Sequence, residues 1–392
     1  MLTRHIPHST PDSTACLRAA HRVAGRQTRA DQPKIPDVIP TPTALLRGSR
    51  RSALRAAIAL VVAALLAVPG CSRPPQSGVV IRVGYFPNIT HSQAVIGVAD
   101  GTFQRALGDN VAVRARVFNA GPFVIEALFA GQIDLAYVGP NPAINGYVRS
   151  NGQALRIVAG ATSGGAVLVV RADAAIRQPA DFRGRRIASP QLGNTQDVAL
   201  RRWLSHEGLE LRERGGTTEV IPVANPDIFT LFQKKEIDAA WVPEPWGARL
   251  VHEAGGRVFL DERALWPEGR FVTAHVIVRT AFLDQHPDLI SRWLDAHVDL
   301  TRRLTSDAEG AKRAVNAEIE HLTGRAFAAA VLDDAWARMT PTWDPIRKSL
   351  AQSADAAFRL GFLGDNPPKL DGIYDLRLLN RVLRGKGLPG ID

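Results

Sequence analysis

Ile133-Asp134-Leu135-Ala136-Tyr137-Val138-Gly139-Pro140-Asn141-Pro142 is restated 104 positions later as Ile237-Asp238-Ala239-Ala240-Trp241-Val242-Pro243-Glu244-Pro245. Each copy follows a run with helical spacing of apolar residues, Phe123 to Ala130 and Ile228 to Lys235. Each gives a short apolar strand ending in an aromatic residue and Val, then breaks at prolines ahead of another helix. The recurrence predicts two similar α/β units. In such units ligands lie where strand carboxyl ends meet helix N-termini, so two units facing each other predict a cleft. Burial in a strand accounts for the Ile, Ala and Val positions, but not for the proline-rich polar turn that closes both copies.

The 392 residues are 45% hydrophobic and 22% charged, a balance that excludes disorder of the whole chain. The formal charge of +10 is concentrated in residues 1–70, which hold 10 Lys+Arg against 3 Asp+Glu, leaving 38 against 35 from Cys71 onward. A body so nearly neutral gives no reason to expect nucleic acid as a partner. Its only cysteines, Cys16 and Cys71, precede that body, so disulfide, zinc-cluster and cysteine-nucleophile chemistry have nothing to stand on. Neither a His-Glu-x-x-His pair nor a Gly-x-Ser-x-Gly elbow occurs, and no catalytic residue, metal or cofactor is expected.

Polar turns at strand ends carry the binding expectation. Val79 to Phe86 reads as a strand stopped by Pro87-Asn88-Ile89-Thr90-His91, after which Ser92 to Leu107 takes helical spacing. Asn, Thr and His at the start of a helix aim backbone N–H groups and neutral donors at an anion without burying a positive charge. As helix caps alone, Asn88 and Thr90 need no ligand. However, Gly193-Asn194-Thr195-Gln196 opens the Val198 to Glu207 helix in the same way, and two equivalent turns point to a site. Ala112 to Phe118 and Ile133 to Val138 continue a βαβα order that predicts a parallel sheet. Leu155 to Val170, interrupted by Thr162-Ser163-Gly164-Gly165, is the expected first crossing between units, and Phe271 to Arg279 the second. From Ala281 onward helices are expected at Ala281 to Leu304, Phe327 to Met339 and Ser349 to Leu360. Tyr137, Trp241 and Trp246 are candidates for an apolar wall. Glu244 is awkward there, because a carboxylate repels an anion unless it meets an amine or a protein Arg.

Gly84-Tyr85-Phe86-Pro87-Asn88-Ile89-Thr90-His91, the block Ala130 to Pro142 and Gly193 to Asp197 resemble the solute-binding proteins of ABC importers in the aliphatic sulfonate, nitrate and taurine group, over about residues 79–385. The resemblance implies a two-lobed periplasmic-binding-protein type II fold, each lobe a mainly parallel sheet flanked by helices. Residues 79–165 with 275–392 would form lobe 1 and 166–274 lobe 2. It implies a cleft for a small organic anion, an aliphatic sulfonate first, built from Asn88, Thr90, His91, Pro140, Asn141, Ser163, Gly164, Asn194, Thr195, Gln196, Trp241, Glu244 and Trp246. It also implies a membrane permease as partner for a monomeric binding protein. Taurine, nitrate, bicarbonate and thiamine-pyrimidine or riboflavin precursors are the alternatives within the fold. An enzyme of the pyrimidine-precursor synthase type would call for a cysteine-rich motif that this body lacks. The effector half of a transcription regulator would call for an amino-terminal helix-turn-helix.

Residues 1–46 have no periodic apolar pattern and are expected to be disordered, or to precede the true start. Ser49 to Arg55 supplies a charged stretch, Ala56 to Val68 an apolar run too short to span a bilayer comfortably, and Val68-Pro69-Gly70-Cys71 follows. That order resembles the signal and lipobox of bacterial lipoproteins, which implies lipidation of Cys71, removal of 1–70 and a cell-envelope location. A plain cleaved signal peptide is the alternative. Arg50-Arg51 fits either general or twin-arginine export. Residues 71–78 read as a tether.

Overall fold

The computed structural model describes residues 78–392, so the leader, the signal, Cys71 and the tether up to residue 77 lie outside the described residues. The strands are β1 (Val79–Tyr85), β2 (Val111–Val117), β3 (Leu135–Val138), β4 (Leu155–Gly164), β5 (Ala166–Arg171), β6 (Arg186–Pro190), β7 (Glu219–Val223), β8 (Ala239–Pro243), β9 (Gly256–Asp261), β10 (Val272–Arg279) and β11 (Met339–Pro341). Helices α1 (Ser92–Ala99), α2 (Thr102–Leu107), α3 (Gly121–Phe129) and α4 (Pro140–Arg149) belong to the amino-terminal stretch. Helices α5 (Thr195–His206), α6 (Asn225–Gln233) and α7 (Trp246–Ala254) follow in the middle. The carboxyl-terminal stretch holds α8 (Thr280–Gln285), α9 (Pro287–Ser306), α10 (Ala308–Thr323), α11 (Ala329–Ala337), α12 (Arg347–Arg359) and α13 (Arg377–Gly385).

The two halves of the repeat lie in different sheets. β3 sits in a six-stranded sheet of order β11-β4-β10-β3-β1-β2, and β8 in a five-stranded sheet of order β7-β6-β8-β5-β9. Their surroundings match: β3 pairs parallel with β1 through Val83 and Leu135, and β8 parallel with β6 through Ile187 and Ala239. The repeated Asp does the same work in both. Asp134 N donates to Arg82 O while its carboxylate accepts from Arg82 N, and Asp238 N donates to Arg186 O while its carboxylate accepts from Arg186 N. The recurring Ile-Asp pair is therefore a device for starting a central strand beside its neighbour.

The α/β architecture with two sheets holds, but each sheet is mixed rather than mainly parallel. The βαβ units supply the parallel pairs β1/β2, β1/β3, β6/β7 and β6/β8, whereas β10 lies antiparallel to β3 and β4, and β5 antiparallel to β8 and β9. The reason is the crossing itself: β4 carries the chain out of the first sheet and β10 brings it back, so the two run in opposite directions. The outward crossing turns at Gly164 and Gly165, whose φ values of 72° and 75° lie in the left-handed region that a side chain disfavours. The return reaches the first sheet at Val272, a little before the expected 275.

Two expected helices are broken. Asp100 accepts from the Thr102 amide and hydroxyl, and Gly101 takes φ 73°, which divides Ser92–Leu107 into α1 and α2. Pro287, lacking an N–H, begins α9 and separates it from α8. One core joins β1, β3 and β10 to α1, α2, α9, α10, α11 and α13, with Phe103 and Trp293 stacked at its centre 3.6 Å apart. The second sheet has its own cores on its two faces, around Phe182, Trp203 and Trp241 and around Ile228 and Phe232.

Candidate anion-binding cleft

Between the sheets, the chain leaves β1, β2, β3, β6 and β7 through short turns that open helices, and these turns converge. A cavity of about 20 Å³ is lined by Phe86, Asn88, Thr90, His91, Asn119, Gly139 and Thr273 from the first sheet's side. Asn194, Thr195, Gln196, Asn225 and Pro243 complete it from the second. Among the described residues that line it, none is Asp, Glu, Lys or Arg. The N-caps of the 3-10 turn Ile89–His91 that leads into α1, and of α4, α5 and α6, namely Asn88, Gly139, Asn194 and Ala224, make no side-chain capping hydrogen bond. First-turn N–H groups left without such a partner favour an anion, aided by the helix dipoles.

The side chains around the cavity are poised as neutral donors. The Phe86 amide donates to His91 Nδ1 at 3.3 Å, so the neutral ring keeps its proton on Nε2. Burial lowers the His91 pKa to about 3 and holds the ring uncharged at neutral pH. Thr195 Oγ1 and Asn225 Oδ1 are buried and find no hydrogen-bond partner among the described residues. Turning the Asn225 carboxamide over would present its NH₂ instead. Gly139 is where the two sides touch, because a Cβ there would run into Thr195 Oγ1.

A larger chamber of about 300 Å³ adjoins the first and shares Phe86, Asn88, Asn119 and Asn225 with it. Phe118, Trp246, Phe327, Arg249 and Arg325 are among its walls. The Trp246 indole N–H donates to Asn88 Oδ1 at 3.2 Å, which leaves the Asn88 NH₂ as the free end of that amide.

Six of the expected residues, Asn88, Thr90, His91, Asn194, Thr195 and Gln196, line the inner cavity, and Trp246 lines the outer chamber. Others stand elsewhere. Asn141 faces a neighbouring crevice and donates to Ser353 O at 3.3 Å, and Pro140 is packed in the first turn of α4. Ser163 and Gly164 are engaged in the β4 ladder with β10 and β11, and the Gly164 carbonyl accepts from the Thr273 hydroxyl. Tyr137 and Trp241 are core residues: the Tyr137 hydroxyl donates to His297 Nδ1, and Trp241 Nε1–H donates to Glu262 at 2.8 Å. Glu244 does not reach the cavity. Its carboxylate accepts from Arg338 at 2.9 Å and from the Ala248 amide at 2.9 Å. Burial pushes that carboxyl up, while Ala248 and Arg338 pull it back. Asn119 and Asn225, not among the expected residues, stand two positions after β2 and β7, so the strand-to-helix rule that singled out Asn88 and Asn194 would have found them.

The fold is a two-lobed one of the periplasmic-binding-protein type. The chain belongs to the NMT1-like family, whose model matches residues 74–319. It is similar to the taurine-binding periplasmic protein of Escherichia coli (strain K12), with 26% identity over 206 residues, covering 53% of this chain and 61% of that one. The aligned stretch thus spans about three fifths of that relative's length. The fold matches the alkanesulfonate-binding protein SsuA from Xanthomonas axonopodis pv. citri, solved bound to MOPS, with TM-score 0.63, 20% identity, 75% of this chain and 97% of that one. It matches the periplasmic nitrate-binding protein NrtA from Synechocystis PCC 6803 with TM-score 0.62, 15% identity, 80% of this chain and 90% of that one.

Proposed function

We propose that this chain is the extracytoplasmic solute-binding component of an ABC importer, and that it closes on a small organic anion, an aliphatic sulfonate first, and delivers it to a membrane permease. The carrying observation is the inner cavity, where neutral donors and helix N-termini from both sheets converge without a lining charge. Such a site binds an anion through many weak donors and releases it again, since no buried cation has to be left unpaired. The names of the relatives, a taurine-binding and an alkanesulfonate-binding protein, support binding of a small anion. Export is read from the segment 49–71, with Cys71 as the lipid anchor and the body acting as a monomer at the outer face of the membrane.

Calorimetric titration of the purified chain with methanesulfonate, taurine, nitrate and bicarbonate tests this reading. Binding of at least one anion is expected. Asn194→Ala should weaken it about ten- to hundredfold, the value of one hydrogen bond to a charged group, about 1.5 to 3 kcal/mol. Because the Asn194 side chain caps nothing in α5, unfolding should be little changed. Unaltered affinity in Asn194→Ala would overturn the assignment of the cavity.

A further inference from the structure

The inner cavity alone is too small for an organic solute. At about 20 Å³ it has room for little more than one water-sized group, which needs roughly 10 to 15 Å³. The adjoining chamber, at about 300 Å³, reaches the lower bound of roughly 300 Å³ for small-molecule sites. A solute seated with its head among the donors therefore places its body in the outer chamber.

That chamber has a definite chemistry. Four flat rings, Phe86, Phe118, Trp246 and Phe327, stand in its walls beside Ile319 and two prolines. The Arg249 guanidinium lies 4.7 Å from the Trp246 ring and 5.6 Å from the Phe327 ring and donates to Glu253 at 3.1 Å. Arg325 shares the same Glu253 at 3.3 Å, with its side chain 65% exposed at the chamber. Two guanidiniums on one carboxylate leave one positive charge over. Among the described residues lining either chamber there is no carboxylate, so an ammonium group on the solute meets only neutral acceptors such as Asn225 Oδ1 and no charged partner there.

Building on the anion-binding reading above, but replacing its aliphatic body with a flat one, we infer that the solute is a sulfonate with a flat, unsaturated body carrying a second anionic group, and that the zwitterion taurine is discriminated against. The ring lies against Trp246 and Phe327, and the far anion meets Arg325, whose planar fork suits a carboxylate.

Titration of the purified chain with methanesulfonate, taurine, nitrate, benzenesulfonate and 4-sulfobenzoate separates the possibilities. Benzenesulfonate should bind about tenfold more tightly than methanesulfonate, from ring burial, and taurine more weakly than methanesulfonate. 4-Sulfobenzoate should gain about fivefold more, and Arg325→Gln should erase that gain while leaving benzenesulfonate within about twofold. Taurine or methanesulfonate binding as tightly as the arenesulfonates would overturn this inference and leave the anion-binding reading standing. An unchanged ratio of 4-sulfobenzoate to benzenesulfonate affinity in Arg325→Gln would do the same. Binding of none of the five probes would remove both.

Discussion

Trp246, at the start of α7, donates its indole N–H to the Asn88 carboxamide oxygen at 3.2 Å, so a residue beside the second sheet orients a cavity donor beside the first. With its oxygen held in this way, Asn88 has its NH₂ left for the cavity. Trp246→Phe keeps a ring against Arg249 but loses this bond. A neutral hydrogen bond of about 0.5 to 1.5 kcal/mol predicts a two- to tenfold loss of anion affinity by calorimetry. Wild-type affinity in that variant would show that Asn88 does not depend on Trp246.

Asp134 has a fully buried side chain that accepts from Arg82 Nε and Nη2, from the Arg82 amide and from Arg279 Nη2. Burial alone would raise its pKa, but the hydrogen bonds from Arg82 and Arg279 hold it below the usual carboxylate range. Asp134→Asn should destabilise the protein in denaturant unfolding by about 2 to 3 kcal/mol, less than a fully buried pair because both arginines reach solvent. Asp238→Asn, at the more open equivalent position, should cost less, and anion affinity should be unchanged in both. A larger loss at Asp238 would contradict the equivalence drawn here.

Glu262 supplies a pH dependence. Burial raises its pKa from 4.5 to about 7, although Trp241 and Trp266 both donate to it. The folded state holds this proton longer than the unfolded chain, so the associated stability is complete below pH 4.5 and is lost as pH rises to about 7. His91, His275 and His297 act in the opposite sense, since burial lowers them to about 3, 4 and 4, and they remove stability as pH falls below 6.5. Comparing Glu262→Gln with wild type cancels the histidines. The variant should gain relative stability between pH 4.5 and about 7, by up to about 3 kcal/mol. A flat difference across that range in thermal or urea unfolding would refute the assignment.

Cys71→Ala tests the anchor read from Val68-Pro69-Gly70-Cys71. The variant should move from the membrane to the soluble fraction on cell fractionation. Retention at the membrane, with an unmodified mature terminus in the wild type by mass spectrometry, would rule out lipidation.

The α/β class and the polar turns were legible because strand ends, proline breaks and helix starts are encoded within about ten residues. Thus Asn88 to His91 and Asn194 to Gln196 stood out from their local pattern alone. The Ile-Asp repeat was equally visible, but its meaning was not, because Asp134 and Asp238 act on Arg82 and Arg186, 52 positions away in each case. Glu244 shows the same limit more sharply: its charged partner Arg338 lies 94 residues further on, and that contact, together with the Ala248 amide, holds the carboxylate away from the cavity. Trp241 likewise turned to Glu262 and the core, while Arg249, Arg325 and Phe327 came together with Trp246 as the outer chamber. By itself the sequence determined where the chain turns and which turns carry neutral donors. Only the tertiary structure decided which turns face one another and which charges are already paired, because those outcomes depend on packing between segments that share no local pattern.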